Sequence, residues 1–368
     1  MHERPKALLV LSDGAVFEGY AAGALLGEGG SLLVATGEIV FNTALSGYLE
    51  VVTDPSYAGQ VVAFTYPHIG NYGVALEDRE GDHPYCRAVV ARSLPVRPSN
   101  WRSEIDFESY LTEHNLACII GVDTRRLTRH LRKTGSLTCA IGRGQEASLL
   151  RAAKDEPGTL LQDLVKEVSI SEKYLYKSTL QNTAVPKIAA LNFGMKKSIL
   201  DDLAQIGDVI VLPASAGPAE ILDLGVDGLF LSNGPGDPDA LGYIAKTIED
   251  LLGKLPIMGI CLGHQLLAKA LGATTYKMTF GHHGVNHPVK QMSDGKIEIT
   301  SQNHNYAVAL DHLPGVEVTH INLNDQVIEG LAVRGANAIS VQYHPEAAPG
   351  PHDSKYVFDR FKEMVTEK

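Results

Sequence analysis

The sequence predicts an α/β protein built from two domains. Three observations predict this. The 368 residues suffice for two domains of ordinary size. The rhythm of the chain changes near residue 187: before it, short strands mix with Gly-rich turns, and after it, apolar strands alternate with helical stretches. The second pattern is that of a mostly parallel sheet covered by helices on both faces. Residues 171–186 between them are polar, lack periodicity and run up to Pro186, as a linker does. The expected division is therefore a mixed α/β domain over 1–170, a linker over 171–186 and a second domain over 187–368.

Composition narrows the function classes. An apolar content of 44% with 20% charged residues describes a globular chain with a sizeable core. The net charge of −11 argues against a nucleic-acid partner. The four cysteines (Cys86, Cys118, Cys139, Cys261) show no CxxC spacing, which argues against zinc ribbons and disulfide scaffolds and suits a reducing cytoplasm. The first apolar run, Ala7 to Leu11, is too short for a signal sequence, and no run approaches membrane-spanning length, so a cytoplasmic protein without a membrane partner is expected.

In chain order, Ala7–Leu11, Gly37–Asn42 and Gln60–Tyr66 read as strands of the first domain, and Phe107–Asn115 and Asp123–Thr134 as helices. Asp123 is a good N-cap, and the basic face of Arg125, Arg126, Arg129, Arg132 and Lys133 reads as solvated surface. In the second domain, strands are expected at Ile188–Asn192, Val209–Leu212, Gly228–Leu231, Ile257–Ile260, Ile297–Thr300, Val316–Asn322, Val327–Val333 and Ala338–Gln342. Helices are expected at Lys196–Ile206, Ala240–Leu252, from His264 onward and at Ser354–Val365. In such sheets a ligand site lies beyond the carboxyl ends of the strands.

Gly259-Ile260-Cys261-Leu262-Gly263 sits at such an end. Glycine on either side of the cysteine allows a sharp strand-to-helix turn, through dihedrals that a Cβ forbids. The turn lifts the thiol out of the sheet, as in the Ser version of this elbow, and aims the positive end of the next helix at the sulfur, a setting that favours thiolate. A thiol nucleophile needs a base. His344-Pro345-Glu346 supplies one: Pro345 forces its neighbour into the extended region, where residues i and i+2 share a side. Glu346 can then hold the His344 imidazole in one tautomer. An oxyanion developing at the attacked carbon needs donors; the Leu262 N–H and the rigid loop Ser232-Asn233-Gly234-Pro235-Gly236-Asp237-Pro238 are placed for this. A lone Cys or His is more often structural, but three in suitable contexts on one domain point to nucleophilic catalysis.

The elbow, the Ser232–Pro238 loop and His344-Pro345-Glu346 resemble the triad-type, class I glutamine amidotransferases. Phe41-Asn42-Thr43, Gly47-Tyr48, Thr53-Asp54-Pro55-Ser56-Tyr57, Tyr66 to Asn71 and Asp123-Thr124-Arg125 are similar to the small-chain family of carbamoyl-phosphate synthase, and Gly281-His282-His283-Gly284 and Gln302-Asn303-His304 fit it too. The resemblance implies a small-chain domain followed by a class I amidotransferase domain. It implies Cys261 as nucleophile, His344 as base and Glu346 as orienter. It implies L-glutamine held by Ser56, Gly234, Gly236, Leu262, Gln265, Asn303, Asn305 and Tyr306, with Ser56 reaching over from the first domain. Asn305 stands where the family commonly has Gly; Asn tolerates positive φ, so the backbone contact is expected to survive.

The resemblance also implies a glutaminase that passes ammonia to a separate large chain, in a heterodimer or a higher assembly of heterodimers. That partner would use ATP, Mg and bicarbonate to make carbamoyl phosphate for arginine and pyrimidine synthesis, and this chain would carry no cofactor of its own. No Gly-x4-Gly-Lys-Ser/Thr loop is present, in keeping with ATP use elsewhere. His282, His283 and His287 are spaced as zinc ligands can be, but no nearby Cys or carboxylate completes a set, so no metal is expected and the segment reads as a polar loop. Two other readings share the elbow chemistry: a free-standing γ-glutamyl thiol hydrolase, against which the first domain speaks, and a catalytically silent regulatory subunit, against which the intact Cys261, His344 and Glu346 speak.

Overall fold

The computed structural model of the chain describes residues 4–27, 34–181, 185–310 and 313–366. The reading of the first three residues and of 182–184 in the linker lies outside these. Two compact units form, one from Met1–Leu160 with Thr279–His283, the other from Leu161–Met278 with Gly284–Lys368.

The first unit is a closed barrel of seven strands: β1 (Lys6–Leu11), β2 (Val16–Gly23), β3 (Val34–Asn42), β4 (Gln60–Phe64), β5 (Ala88–Val90), β6 (Ala117–Ile120) and β7 (Leu137–Gly142). Their order is β1-β2-β6-β5-β4-β3-β7, and β7 pairs back onto β1. The β3-β4-β5-β6 stretch is parallel and the other pairings are antiparallel. Register explains why alternate residues are apolar. Ile39, Val61, Ala88 and Ala117 pair side by side across four strands, and Phe41, Ala63, Val90 and Ile119 form the next row. These join one core cluster with Leu9, Leu11 and Phe17. The residues between them, such as Val40, Val62, Val89 and Cys118, face the other way and pack with Tyr48, Val52, Phe107 and Tyr110.

Helices Tyr48–Thr53 and Phe107–Glu113 carry those last side chains. A third helix, Thr124–Thr134, starts where expected: Asp123 accepts from the Arg126 N–H at 2.9 Å. The segment Thr279–His283 completes this unit. Thr279 accepts from Ser136 N–H at 2.8 Å, His283 accepts from Thr43 N–H at 3.1 Å, and Phe280 packs on Phe41. The Gly281–Gly284 stretch, read from sequence as a polar loop, is therefore a correction: it lies within a long strand, Thr274–Gln291, with His282 and His283 buried. Histidines and glycines hid the strand because they give no apolar alternation.

The second unit carries a ten-stranded sheet. Its strands are β8 (Tyr174–Tyr176), β9 (Lys187–Asn192), β10 (Asp208–Pro213), β11 (Gly228–Leu231), β12 (Ile257–Ile260), β13 (Thr274–Gln291), β14 (Ile297–Ala309), β15 (Val316–Asn322), β16 (Ile328–Val333) and β17 (Ala338–Val341). The order is β14-β13-β15-β16-β17-β12-β11-β9-β10-β8, with a parallel core of β17-β12-β11-β9-β10. Within 171–186, read as linker, β8 pairs antiparallel with β10.

Neighbouring residues on the parallel strands point to opposite faces. Ala189, Leu191, Leu229, Leu231 and Ile257 pack with Ile244, Ile248, Leu266 and Leu267 of the helices Gly242–Leu251 and Leu262–Ala270. Ile188, Ala190, Phe230, Met258 and Ile260 pack with Ile199 and Leu203 of Lys197–Ala204 and with Phe361 and Val365 of Tyr356–Thr366. Each fully buried Leu, Ile or Phe contributes about 1.5–3 kcal/mol. The chain runs from β9 outward to β10, then returns to β11 on the other side of β9. A reversal of this kind is where ligand sites of open parallel sheets are generally found. Among the described residues no helix is long and apolar enough to cross a membrane.

Candidate active site

Four neighbouring strands of the second unit end in the segments that carry polar chemistry. β9 leads into Phe193–Lys196, β11 into Ser232–Pro238, β12 into Cys261 and β17 into Gln342–Glu346. The helix after β12 begins at once, with Cys261 as its N-cap residue. The strained dihedral falls on the cysteine itself, at φ 54° and ψ −106°. This corrects the expectation that the glycines take it up. Gly263 is needed for another reason: a Cβ there would lie 2.2 Å from the Leu231 carbonyl oxygen, so only hydrogen lets the helix sit against β11. A non-Gly residue held at positive φ costs of order 1–3 kcal/mol and persists where its surroundings over-determine it.

Cys261 is buried, and its thiol donates to the Asn303 carbonyl oxygen at 3.4 Å. Asn303 belongs to β14, which a bridge from Ser301 to His344 ties to the end of β17. His344 N–H donates to the Ser301 carbonyl at 2.9 Å. On the ring, Nδ1 lies 2.6 Å from Glu346 Oε1, the i, i+2 contact that the extended His-Pro-Glu segment predicts. Burial pulls the imidazole pKa down, but the Glu346 carboxylate and then Cys261 outweigh it and raise it to about 10. Burial likewise pushes the Glu346 carboxyl up, and the Lys196 ammonium and the imidazole reverse this, holding it well below the ordinary carboxylate range.

Lys196 is the residue that sequence reasoning missed. It is buried at the end of the loop after β9, and its Nζ lies 2.8 Å from Glu346 Oε1 and 2.6 Å from the Ala348 carbonyl. Its position at the carboxyl end of a parallel strand was the available signal. The sequence reading places it only at the start of an expected helix, Lys196–Ile206.

The loop after β11 is fixed from several sides. Ser232 Oγ accepts from Phe193 N–H at 2.9 Å and donates to the Asn233 carbonyl at 2.8 Å. Asn233 Oδ1 accepts from the Lys196 N–H at 3.2 Å. The buried Asp237 carboxylate accepts from the Leu161 and Asp239 N–H groups, each at 2.9 Å. A Cβ on Gly234 would lie 2.3 Å from the Phe193 carbonyl oxygen, so the loop closes only with glycine there. Leu262, first residue of the following helix, has no intrahelical acceptor for its N–H, as every helix start requires.

Gln265 uses its amide internally: Nε2 donates to the Tyr306 carbonyl at 2.8 Å and to Gln342 Oε1 at 3.0 Å. It thereby ties the elbow helix to β14 and to the end of β17. Asn303, Asn305 and Tyr306 are buried along β14. Asn305 sits in extended backbone and is absent from the positive-φ residues, so the expected use of its tolerance for positive φ is corrected. Ser56 belongs to the first unit, in the turn Pro55–Tyr57, where Asp54 accepts from its N–H at 2.8 Å.

Comparison with known proteins decides the family. The profile described as glutamine amidotransferase class-I matches residues 189–364, and that described as carbamoyl-phosphate synthase small chain, CPSase domain, matches 9–141. The carbamoyl phosphate synthase small chain of Syntrophotalea carbinolica is 47% identical over 98% of both chains. This chain belongs to the carbamoyl-phosphate synthase small-chain family. The small chain of a Synechococcus strain is 46% identical over 100% of this chain and 95% of its own, and that of Lactococcus lactis subsp. cremoris 44% identical over 98% of both. As a small chain with an amidotransferase domain, it is the glutamine-hydrolysing subunit of a ligase, and a small chain implies a large partner subunit.

For this small chain the elbow contact gives a direct expectation. Gly263→Ala should lower stability by about 1–3 kcal/mol, the usual cost of overpacking. It should also cut glutamine hydrolysis more than about 10-fold, because the helix carrying Cys261 and Leu262 must back away from β11. A thermal melt and a glutamate-release assay check both.

Proposed function

We propose that the chain hydrolyses L-glutamine to L-glutamate and ammonia through a γ-glutamyl thioester on Cys261. The ammonia is delivered to the large subunit, which makes carbamoyl phosphate from it with ATP and bicarbonate, for arginine and pyrimidine synthesis. The observation that carries this reading is the grouping of a strained, buried Cys261 with His344 and its Glu346 partner at the carboxyl ends of adjacent parallel strands.

His344 takes the thiol proton as Cys261 attacks the carboxamide carbon, forming a C–S bond and a tetrahedral oxyanion. The Leu262 N–H and the loop around Gly234 and Gly236 donate to that oxyanion. The imidazolium returns its proton to the amide nitrogen, the C–N bond breaks and ammonia leaves. His344 then takes a proton from water, whose oxygen attacks the thioester carbon. The C–S bond breaks, glutamate leaves, and the proton returns to the sulfur. Glu346 keeps Nδ1 protonated throughout, so that Nε2 is the nitrogen that exchanges protons. Gly234, Gly236, Leu262, Gln265, Asn303, Asn305 and Tyr306 hold glutamine.

The test is isotopic. The chain and its large subunit are given amide-labelled glutamine together with unlabelled free ammonium. Label entering carbamoyl phosphate undiluted supports delivery within the complex. Label diluted to the level of the bulk pool, or glutamate release unaffected by the large subunit, favours a free-standing hydrolase. No glutamate release at all favours a silent subunit.

A further inference from the structure

We propose that the segment 161–169 is a strap that positions the loop carrying Gly234 and Gly236, and that Asp237 is the positioning residue through which it acts. The inference rests on the glutaminase reading and adds to it the structure that holds one side of the oxyanion site in place.

The strap crosses the carboxyl ends of three neighbouring strands, β11, β9 and β10. At its start, the Leu161 N–H donates to Asp237 Oδ2 at 2.9 Å, in the loop after β11. At its end, Ser169 Oγ donates to the carbonyl of Asn192, the last residue of β9, at 2.7 Å. The same Oγ accepts from the Ala214 N–H, just past β10, at 3.0 Å. Between these points Val165 is buried in the core with Leu231 and Leu262. The fit over the loop is close. Gly236 has φ 94°, and a Cβ on it would lie 3.0 Å from the Gln162 carbonyl oxygen and 3.4 Å from Leu164 Cβ.

Asp237 is built as a tether. It is buried, and both carboxylate oxygens are in use. Oδ2 takes the Leu161 N–H, and Oδ1 takes the Asp239 N–H at 2.9 Å, capping the short 3-10 helix Pro238–Leu241. A buried carboxylate needs such donors, and hydrogen bonds to an ionised acceptor are the strong ones. Leu161 supplies a second observation: it holds φ 53° although the residue is 65% exposed. A non-Gly residue keeps such a backbone only where its surroundings over-determine it. Side-chain packing does not do so here; the N–H bond to Asp237 fixes it.

The two ends of the loop are held differently. The near end is fixed to the elbow: the Gly263 N–H donates to the Ser232 carbonyl at 3.0 Å, and an added Cβ on Gly234 would come within 2.9 Å of the Leu262 side chain. The far end is fixed by Asp237 to the strap. Releasing the strap therefore leaves Cys261 and its helix in place and frees Gly236. Donors to an oxyanion work because they are aimed before the charge develops, and that aim is what the strap supplies.

The test uses the full-length chain with its large subunit. It measures kcat/KM for glutamine hydrolysis and, separately, the rate at which iodoacetamide alkylates the Cys261 peptide, read by mass spectrometry. Asp237→Ala should lower kcat/KM at least about 10-fold, as weakened oxyanion donors do. Its alkylation rate should stay within about 2-fold of wild type, because the thiol and its base have not moved. Leu161→Pro, which lacks the N–H and cannot take a positive φ, should lose as much turnover. Leu161→Gly keeps the N–H and the conformation and should stay within about 2-fold of wild type. The same bond is broken in both damaging variants, so the double variant should be no worse than the more impaired single. Wild-type turnover in Asp237→Ala or Leu161→Pro, an alkylation rate that changes in step with turnover, or losses that multiply in the double variant overturn the proposal. Should Asp237→Ala fail to fold, the contrast between Leu161→Pro and Leu161→Gly decides by itself. Wild-type enzyme that releases no glutamate would mean instead that the glutaminase reading has failed.

Discussion

Replacing Cys261 with Ser should reduce glutamine hydrolysis by at least about 10³-fold while glutamine still binds. The change swaps one atom, so the packing of the elbow is kept. The hydroxyl, however, holds its proton far more firmly than a thiol, and an imidazole cannot keep it as an alkoxide. Binding should survive because the groups expected to hold glutamine lie on β14, on the loop after β11 and at Gln265. The other cysteines offer no substitute: Cys86, Cys118 and Cys139 are buried, and burial pushes all three thiols up, that of Cys86 to about 12. Calorimetric titration with glutamine and a glutamate-release assay on the same preparation separate binding from turnover. Full activity in Cys261→Ser would contradict the assignment.

His344→Asn should cost about 10³–10⁴-fold, because one imidazole serves four proton transfers. Asn fills similar space, and the main-chain bond from residue 344 to Ser301 is unaffected, so the fold should hold. Its side chain can neither take the thiol proton nor return one to nitrogen. The two half-reactions suffer unequally. Cys261 can still attack slowly by giving its proton to solvent, whereas water at the thioester has lost its only base. Rapid-quench kinetics should therefore show a first turnover faster than the steady state. A steady rate within about 10-fold of wild type would remove His344 from the mechanism.

The strand ends that bring Cys261, His344 and Glu346 together were legible because each announces itself locally. A Gly-x-Cys-x-Gly turn between a strand and a helix, and a His held extended by Pro345, need no knowledge of distant contacts. The strands of the parallel core were legible from their apolar runs, whose two faces are covered by different helices. What stayed hidden depends on partners far along the chain. Lys196 and Glu346 are 150 residues apart, so nothing near Lys196 marks it as buried. The strand Thr274–Gln291 lacks alternation, and its place follows from pairing, with Ser136 and Thr43 taking up part of its backbone. The strained dihedral at Cys261 was also misassigned to its glycines. Close approach of the Leu231 carbonyl is a tertiary fact that sequence spacing does not carry.

The central claim is that a covalent glutamyl intermediate forms on one sulfur. Acid-quenching the enzyme with carbon-labelled glutamine during turnover, then mapping the labelled peptide by mass spectrometry, tests it most directly. An acid-stable adduct, released by hydroxylamine, is expected on the peptide containing Cys261, with a higher yield in His344→Asn. Label on Cys86, Cys118 or Cys139, or steady glutamate release with no labelled peptide under conditions that preserve a thioester, would contradict it.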